Sequence, residues 1–300
     1  MTRFIHDQFA KDYLETLLTP YGTVQAPRRV AGEVRQIDVW FVPDPTATFS
    51  KDALGLLGSI TQAIAILEPF RNAASSDEIQ DCLLKLLEVL GEQRREAKRN
   101  EVRLQVSDLA KLWILTPTAS SAILADCRAT PSETMLGIYS LAAILQTSIV
   151  VIHQLPRTPQ TLWLRLLGRG TVQRQAIDEL EQLPENHPFR AATLELLYSL
   201  QKNLEVIQDQ DQDQDDQELV MRLAPLYQQD REQAKQEGVQ QGVQQGERLV
   251  IENILQTRFG KLDESLQSTV EAALALTPDE FTPLLMQLSR EELIERFNQR

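Results

Sequence analysis

The chain has 300 residues, of which 42% are hydrophobic and 24% charged, so it has the length of about two ordinary domains and enough apolar residues to bury a core. Its net charge is −13, and the acidity lies toward the end: residues 207–300 carry 9 Lys or Arg against 19 Asp or Glu, while residues 1–206 carry 21 against 24. Two cysteines exclude a disulfide framework, and neither an apolar run of about 18 residues nor a signal peptide is found, so we expect a cytoplasmic protein without a membrane span.

The front of the chain predicts a helix followed by strands. Residues 4–18 place apolar side chains at helical spacing, and Pro20, Gly22 and Pro27 then break the chain. From Val30 to Val42, apolar and polar residues alternate, which predicts β-strands.

A second group of elements follows. We expect a short helix over residues 50–57, capped by Ser50, and a buried strand over residues 63–71, AIAILEPFR. Ser75 followed by Glu78 is a capping box that predicts the start of a long helix. The run LWILTP, residues 112–117, has the nearly continuous apolar character of an interior strand.

The remaining apolar runs of the first part extend the same pattern. Residues 148–156, SIVVIHQLP, and residues 161–168, TLWLRLLG, are interpreted as strands, and residues 171–205 as two helices. The order helix, strands, long helix, strand in the first 117 residues predicts a mixed α/β core with helices packed on a sheet.

The end of the chain changes in composition. Residues 208–218 are acidic and of low complexity, which predicts a linker. Gly238, Gly242 and Gly246 recur every four residues and indicate either a frayed linker or a close helix–helix contact in an oligomer. Residues 248–298 predict three or four short helices. The predicted organisation is an α/β domain at 1–206, an acidic linker and a Gly/Gln-rich helical segment at 207–247, and a small helical domain at 248–300.

Two acidic residues lie in predicted strands. Asp38 stands between Ile37 and Val39, and Glu68 ends the run AIAILE. Metal-dependent cleavage of phosphodiesters needs carboxylates that converge on a hard cation, and an acid in an apolar strand is costly unless it is paired or liganded. The alternative is that both acids lie on a solvated face or cap a turn.

One segment carries a family resemblance. His6-Asp7-Gln8-Phe9-Ala10-Lys11 resembles the opening HD-x-x-F-K helix of the recombination-promoting nuclease (Rpn) family, transposase-associated proteins of the PD-(D/E)XK nuclease superfamily. The predicted order of elements is similar to the core of that superfamily. The whole chain also resembles cyanobacterial proteins in which such a core precedes a helical domain of unknown function, here RLVIENILQTRFG through LSREELIERF.

The resemblance implies a PD-(D/E)XK restriction-endonuclease-like fold followed by a small all-α bundle, and the activity of a metal-dependent DNA endonuclease. It makes Asp38 and Glu68 the catalytic residues that bind Mg²⁺. Phe70 stands where the family pattern has Lys, so Arg71 is the nearest cation that could replace it in catalysis.

The basic residues around these acids leave two interpretations open. Arg28, Arg29 and Arg35 flank the strand of Asp38 and would contact DNA phosphates, or they are ordinary surface charges. The rival function is a catalytically inactive nuclease fold that serves as a binding or assembly module, which the missing lysine and the net charge favour. In either case we expect a homo-oligomer formed through the helical C-terminal region.

Overall fold

The computed structural model describes residues 2–30, 35–47, 51–206 and 213–298. Ser50, the predicted cap, and residues 207–212 of the predicted linker lie outside these ranges. The chain divides into two compact units, Met1–Pro225 and Leu226–Arg300, called here the N-terminal and C-terminal units. Within the described ranges, no helix combines the length and the apolar character that crossing a membrane requires.

The N-terminal unit contains both helices and strands. In chain order these are α1 (Thr2–Leu18), β1 (Gly22–Gln25), β2 (Arg28–Val30), β3 (Arg35–Ile37), β4 (Val39–Pro43), α2 (Gly55–Ile60), β5 (Ala65–Pro69), α3 (Ser76–Arg99), β6 (Lys111–Thr116), α4 (Ser121–Asp126), β7 (Thr130–Pro131), β8 (Ile138–Ser140), β9 (Thr147–Val151), α5 (Leu162–Arg165), α6 (Gly170–Glu181) and α7 (Arg190–Glu205).

Seven of the described strands form one mixed sheet in the order β1-β4-β5-β6-β9-β8-β7. β4 pairs antiparallel with β1 and β5, whereas β6 pairs parallel with β5 and β9. β2 and β3 form a separate antiparallel pair. The predicted α/β class is confirmed, and β5 lies inside the sheet with a neighbour on each side.

The long helix α3 packs on the sheet as its sequence predicts. The Ser75 side chain accepts a hydrogen bond from the Glu78 amide, and the Glu78 carboxylate accepts one from the Ser75 amide, which completes the capping box. The apolar stripe of α3 belongs to one core cluster with residues of β4, β5, β6 and β9; its fully buried members are Ile79, Cys82, Leu86, Val89 and Leu90. This packing fixes which side of α3 faces β5.

The prediction of a strand at residues 161–168 is wrong, because this run contains the short helix α5. Every residue of the run is buried, and a short apolar run buried on all sides does not distinguish a strand from a helix by periodicity. The helix is held by polar contacts: the Trp163 indole donates to the Ala53 carbonyl at 2.8 Å, and the Arg165 guanidinium pairs with Glu179. The strand predicted at 148–156 is present in its first half as β9, and a 3-10 turn at Ile152–Gln154 follows it.

The end of the chain is helical in its described part. The long helix α8 begins in the N-terminal unit and is followed in the C-terminal unit by three short helices: α8 (Gln214–Phe259), α9 (Glu264–Ala273), α10 (Pro278–Gln287) and α11 (Arg290–Asn298). Gly260, with a φ of +82°, follows α8. A separate apolar core, with Ile251, Leu255 and Leu285 fully buried, holds these helices together.

The acidic run predicted as a linker, residues 208–218, differs from that expectation in its described part, because it is helical from Gln214 onward. The helix predicted after this run is present, and it includes the three regularly spaced glycines, which alternate with residues such as Gln and Glu that favour helices. The boundary between the two compact units falls after Pro225, inside α8.

Candidate active site

Asp38 and Glu68 lie next to each other at one end of the ladder formed by β4 and β5. The last pair of this ladder is Val39 with Leu67, and Asp38 and Glu68 are the residues just beyond it. Glu68 belongs to β5, whereas Asp38 lies in the bend between β3 and β4 and not inside a strand as predicted, because the chain turns there from one strand pair to the other. The Asp38 amide donates to Glu68 Oε1 at 3.4 Å. The two acids that the sequence predicted are therefore brought together.

Lys85 reaches the same place from α3. Its Nζ atom lies 2.7 Å from Glu68 Oε2, and the Glu68 side chain is only 1% exposed. The face of the sheet that carries Trp40 and Ile66 packs in one cluster with the apolar stripe of α3, and Glu68 follows Ile66 by two residues on that face. A cation therefore stands beside Glu68, although Phe70 occupies the strand position where a lysine was expected.

The electrostatics of Glu68 are set by burial and by its two neighbours. Burial raises the pKa of Glu68 to about 8, the negative charge of Asp38 adds to this rise, and Lys85 opposes it. Burial lowers the pKa of Lys85, but the charge and hydrogen bond of Glu68 outweigh this effect and raise it overall. The raised pKa of Lys85 depends on a charged Glu68, whereas the raised pKa of Glu68 favours its neutral form. Its complete burial beside a second carboxylate makes the upward shift of Glu68 the stronger effect.

A second lysine, Lys11 of α1, pairs with Asp38. Lys11 Nζ lies 2.9 Å from Asp38 Oδ1 and 2.7 Å from Asp7 Oδ2, one turn earlier in the helix. Burial lowers the pKa of Lys11, but the hydrogen bonds to Asp7 and Asp38 outweigh burial and raise it. Of the residues that carry the family resemblance, Lys11 thus contacts Asp38 directly, and Asp7 contacts Lys11.

Arg71 has other partners than predicted. Its guanidinium lies 2.6 Å from Asp216 Oδ1 and donates at 3.3 Å to the Gly168 carbonyl and to Gln173. Asp216 also accepts from His6 Nε2 at 2.8 Å. Among the described residues, no hydrogen bond or ion pair joins Arg71 to Asp38 or Glu68.

The contact of Arg71, Asp216 and His6 is a buried ionic network. Burial and the positive charge of Arg71 lower the pKa of His6, whereas Asp216 raises it, and the net shift is downward. Burial raises the pKa of Asp216, but His6 and Arg71 together lower it. The network therefore consists of a guanidinium cation, a carboxylate and a neutral imidazole that donates to the carboxylate.

A pocket of about 110 Å³ connects the two groups of polar residues. Its polar lining residues are Asp7 and Asp38 from the first group and His6, Arg71 and Gln173 from the second. The rest of the lining is mostly apolar: Phe9, Ala10, Pro69, Phe70 and Leu167, with Gly168. Two carboxylates and a buried arginine thus meet in one cavity with apolar walls.

The three arginines predicted to contact DNA lie on the separate strand pair. Arg28 and Arg29 belong to β2 and Arg35 to β3, and in the ladder Arg28 faces Ile37 while Arg29 faces Gln36. Their contact with DNA stays a prediction.

The sequence analysis missed Lys85, Lys11 and Asp216. Lys85 falls between Cys82 and Leu86 of the apolar stripe, where a cation at the border of a buried face indicates a buried partner. Asp216 lies in the acidic stretch that predicted a linker, and its partners are far from it in sequence.

In the described ranges, no group of three or more His, Cys, Asp or Glu side chains is arranged to hold an ion. No family model matches the chain, and no curated protein and no solved structure matches it either.

Proposed function

We propose that the chain is a metal-dependent DNA endonuclease, or a transposase-associated relative of one, with Asp38 and Glu68 at its catalytic centre. The observation that carries this proposal is the proximity of the buried Glu68 carboxylate to Asp38, whose amide donates to it at 3.4 Å, with Lys85 at 2.7 Å from Glu68. Carboxylates and an ammonium group at one spot are what a metal-assisted cleavage of phosphodiesters needs.

The order of elements supports a PD-(D/E)XK-like core and membership of the Rpn family. Up to β6 the chain forms α1, the strands β1–β4, the short helix α2, the strand β5 with Glu68, the long helix α3 and the strand β6, which is parallel to β5. This contains the order that the family resemblance implies, with α2 as an additional element and Asp38 in the bend before β4.

The donor set fits Mg²⁺ when substrate is present. Mg²⁺ is usually bound by one or two carboxylates together with substrate phosphates and waters, so Asp38 and Glu68 are sufficient protein ligands. Burial, and to a smaller extent the charge of Asp38, raises the pKa of Glu68, and a divalent cation bound there would stabilise the charged carboxylate. When bound, the ion would activate water and polarise the phosphate.

The lysines of the site have separate tasks in this proposal. Lys85 orients Glu68 and supplies the positive charge that stabilises the phosphate in the transition state. Lys11 holds the Asp38 carboxylate toward the pocket. Arg71, which the resemblance put in the role of Lys85, is held by Asp216 and shapes the pocket wall.

A plasmid-nicking assay with Mg²⁺ tests the proposal. The wild-type protein should nick supercoiled DNA, and Asp38→Asn and Glu68→Gln should reduce the rate to that of the buffer control. Lys85→Met should lower the rate about 100-fold, as the loss of one preorganised donor does, whereas Lys98→Met near the end of the same helix should not. Equal cleavage by all variants would remove these residues from the mechanism.

The rival function, a catalytically inactive fold that binds nucleic acid or assembles with other chains, is favoured by one observation. Asp38 already pairs with Lys11 and Glu68 with Lys85, so each acid has a partner without a metal. Retained DNA binding without cleavage at any Mg²⁺ concentration would favour this alternative over hydrolysis.

We also propose that a second copy of the chain packs on the exposed face of α8. Val239 and Val243 are exposed there, and a Cβ atom added at Gly238, Gly242 or Gly246 would meet nothing within 4 Å. Val239→Asp with Val243→Asp should convert a dimer into a monomer in light scattering. An unchanged mass would exclude this face as the contact.

A further inference from the structure

An acidic stretch at the start of α8 lies against arginines of the N-terminal unit. Residues 213–218, which we call the acidic strap, include four carboxylates. Arg169 Nε lies 2.6 Å from Asp215 Oδ2, and Arg169 Nη2 lies 2.8 Å from Asp213 Oδ2. Arg174 pairs with Glu218. Together with the pair of Arg71 and Asp216, each carboxylate of the strap has an arginine partner.

Gly170 leaves space for the close approach of the acidic strap. Gly170 begins α6 with a φ of +57°, a conformation that other residues rarely adopt. A Cβ atom at this position would lie 2.7 Å from Asp215 Oδ1, so any larger residue would push the carboxylate away. The close approach of the strap to Arg169 therefore depends on a glycine.

The arginine surface continues from the candidate active site. Arg71 lines the pocket that also contains Asp38, and Arg169 donates to the Asn72 side chain at 2.5 Å, next to Arg71 in the chain. Arg174 lies one turn further along α6. A negatively charged chain that entered the pocket would meet these arginines if the strap were absent.

The strap has a fixed inner contact and exchangeable outer contacts. Asp216 is 1% exposed and held by His6 and Arg71, whereas the side chains of Asp213 and Asp215 are 47% and 31% exposed. Partly exposed ion pairs contribute no more than about 1 kcal/mol, and the ends of helices open at low cost. Phosphates can therefore replace the outer carboxylates without loss of the inner contact.

We propose that Arg169 and Arg174 bind the phosphates of the nucleic acid that enters the candidate site, and that the acidic strap covers them until nucleic acid displaces it. The strap would thus lower the affinity for nucleic acid and inhibit the protein from within. This inference rests on the proposed function, because its ligand is the proposed substrate.

The test measures binding without cleavage. A fluorescein-labelled single-stranded oligonucleotide is titrated with full-length protein in EDTA, and anisotropy is followed between ~50 and ~200 mM salt. The variant Asp213→Asn/Asp215→Asn/Glu218→Gln should bind about tenfold more tightly at the lower salt concentration. Its plot of log affinity against log salt should be steeper by about 1.4, since each new phosphate contact on a single strand adds about 0.7.

Two controls separate the strap from net charge. Asp126→Asn/Glu133→Gln/Glu185→Gln removes the same number of charges at exposed positions and should leave binding close to wild type. Adding Arg169→Gln and Arg174→Gln to the strap variant should abolish the gain.

A milder variant protects the test against misfolding. Asp213→Asn/Asp215→Asn, which frees Arg169 alone, should show about half of the change in slope. If the strap variants bind no more tightly than the exposed-charge control, the proposal is overturned. Because no metal is present, this outcome is independent of whether Asp38 and Glu68 catalyse cleavage.

Discussion

At the scale of single residues, the chain concentrates charge where burial makes it costly. Glu68 is buried beside Asp38, and Asp216 is buried between His6 and Arg71. A buried charge is stable only when partners replace its hydration, so each of these groups depends on a specific neighbour. This dependence gives two predictions.

The raised pKa of Glu68 predicts a stability that falls as pH rises. The folded state keeps a proton on Glu68 between pH 4.5, its ordinary pKa, and about 8, while the unfolded state releases it. Glu68→Gln removes this difference, so the stability of the metal-free variant relative to the wild type should increase as the pH rises from 4.5 to about 8. Urea denaturation at several pH values measures the effect. An exposed substitution, Glu133→Gln, should not reproduce it.

The buried network predicts a large cost for removing Arg71. Arg71→Met leaves Asp216 buried without its cation and should lower the free energy of unfolding by about 3–5 kcal/mol. Arg157 pairs with Glu179 but its side chain is 56% exposed, so Arg157→Met should cost no more than about 1 kcal/mol. Similar losses of unfolding free energy in both variants would show that burial does not determine how much the ion pair of Arg71 and Asp216 contributes to stability.

At the scale of elements, the packing of α3 on the sheet positions the site, because this helix carries Lys85. Leu86 is fully buried in the core cluster, whereas its neighbour Leu87 is 50% exposed. Leu86→Ala should lower the free energy of unfolding by about 2–5 kcal/mol, whereas Leu87→Ala should change it by no more than about 0.5 kcal/mol. Chemical denaturation compares the two variants. Equal costs would mean that α3 packs with a different face.

The elements also show what the sequence could and could not predict. β5, β6 and α3 follow from their apolar patterns and from the capping box at Ser75, because each pattern is local. The helix α5 was misread as a strand, since its buried run has no periodicity. Asp38 and Glu68 were found because each interrupts an apolar run. Lys85 was missed because its contact with Glu68 depends on how α3 packs on the sheet. The family motif predicts a lysine in the same strand as Glu68 and gives no information about this packing.

At the scale of the whole molecule, each compact unit has its own apolar core. In the C-terminal unit Leu285 is fully buried, and the adjacent Met286 is 58% exposed. In the full-length chain, Leu285→Ala should reduce the hydrogen-exchange protection of α9–α11 but not that of β5 and β6, and Met286→Ala should change neither. Loss of protection in both units would show that the two cores unfold together.

The most direct test of the central claim, that Asp38 and Glu68 form one cation site, is a calorimetric titration with Mn²⁺ as a substitute for Mg²⁺ at several pH values. We predict a single site that releases a proton from Glu68, with an affinity that increases up to tenfold per pH unit until about pH 8. Binding should be lost in Asp38→Asn and in Glu68→Gln. Absence of binding in the wild type, or equal binding in all three proteins, would contradict the account.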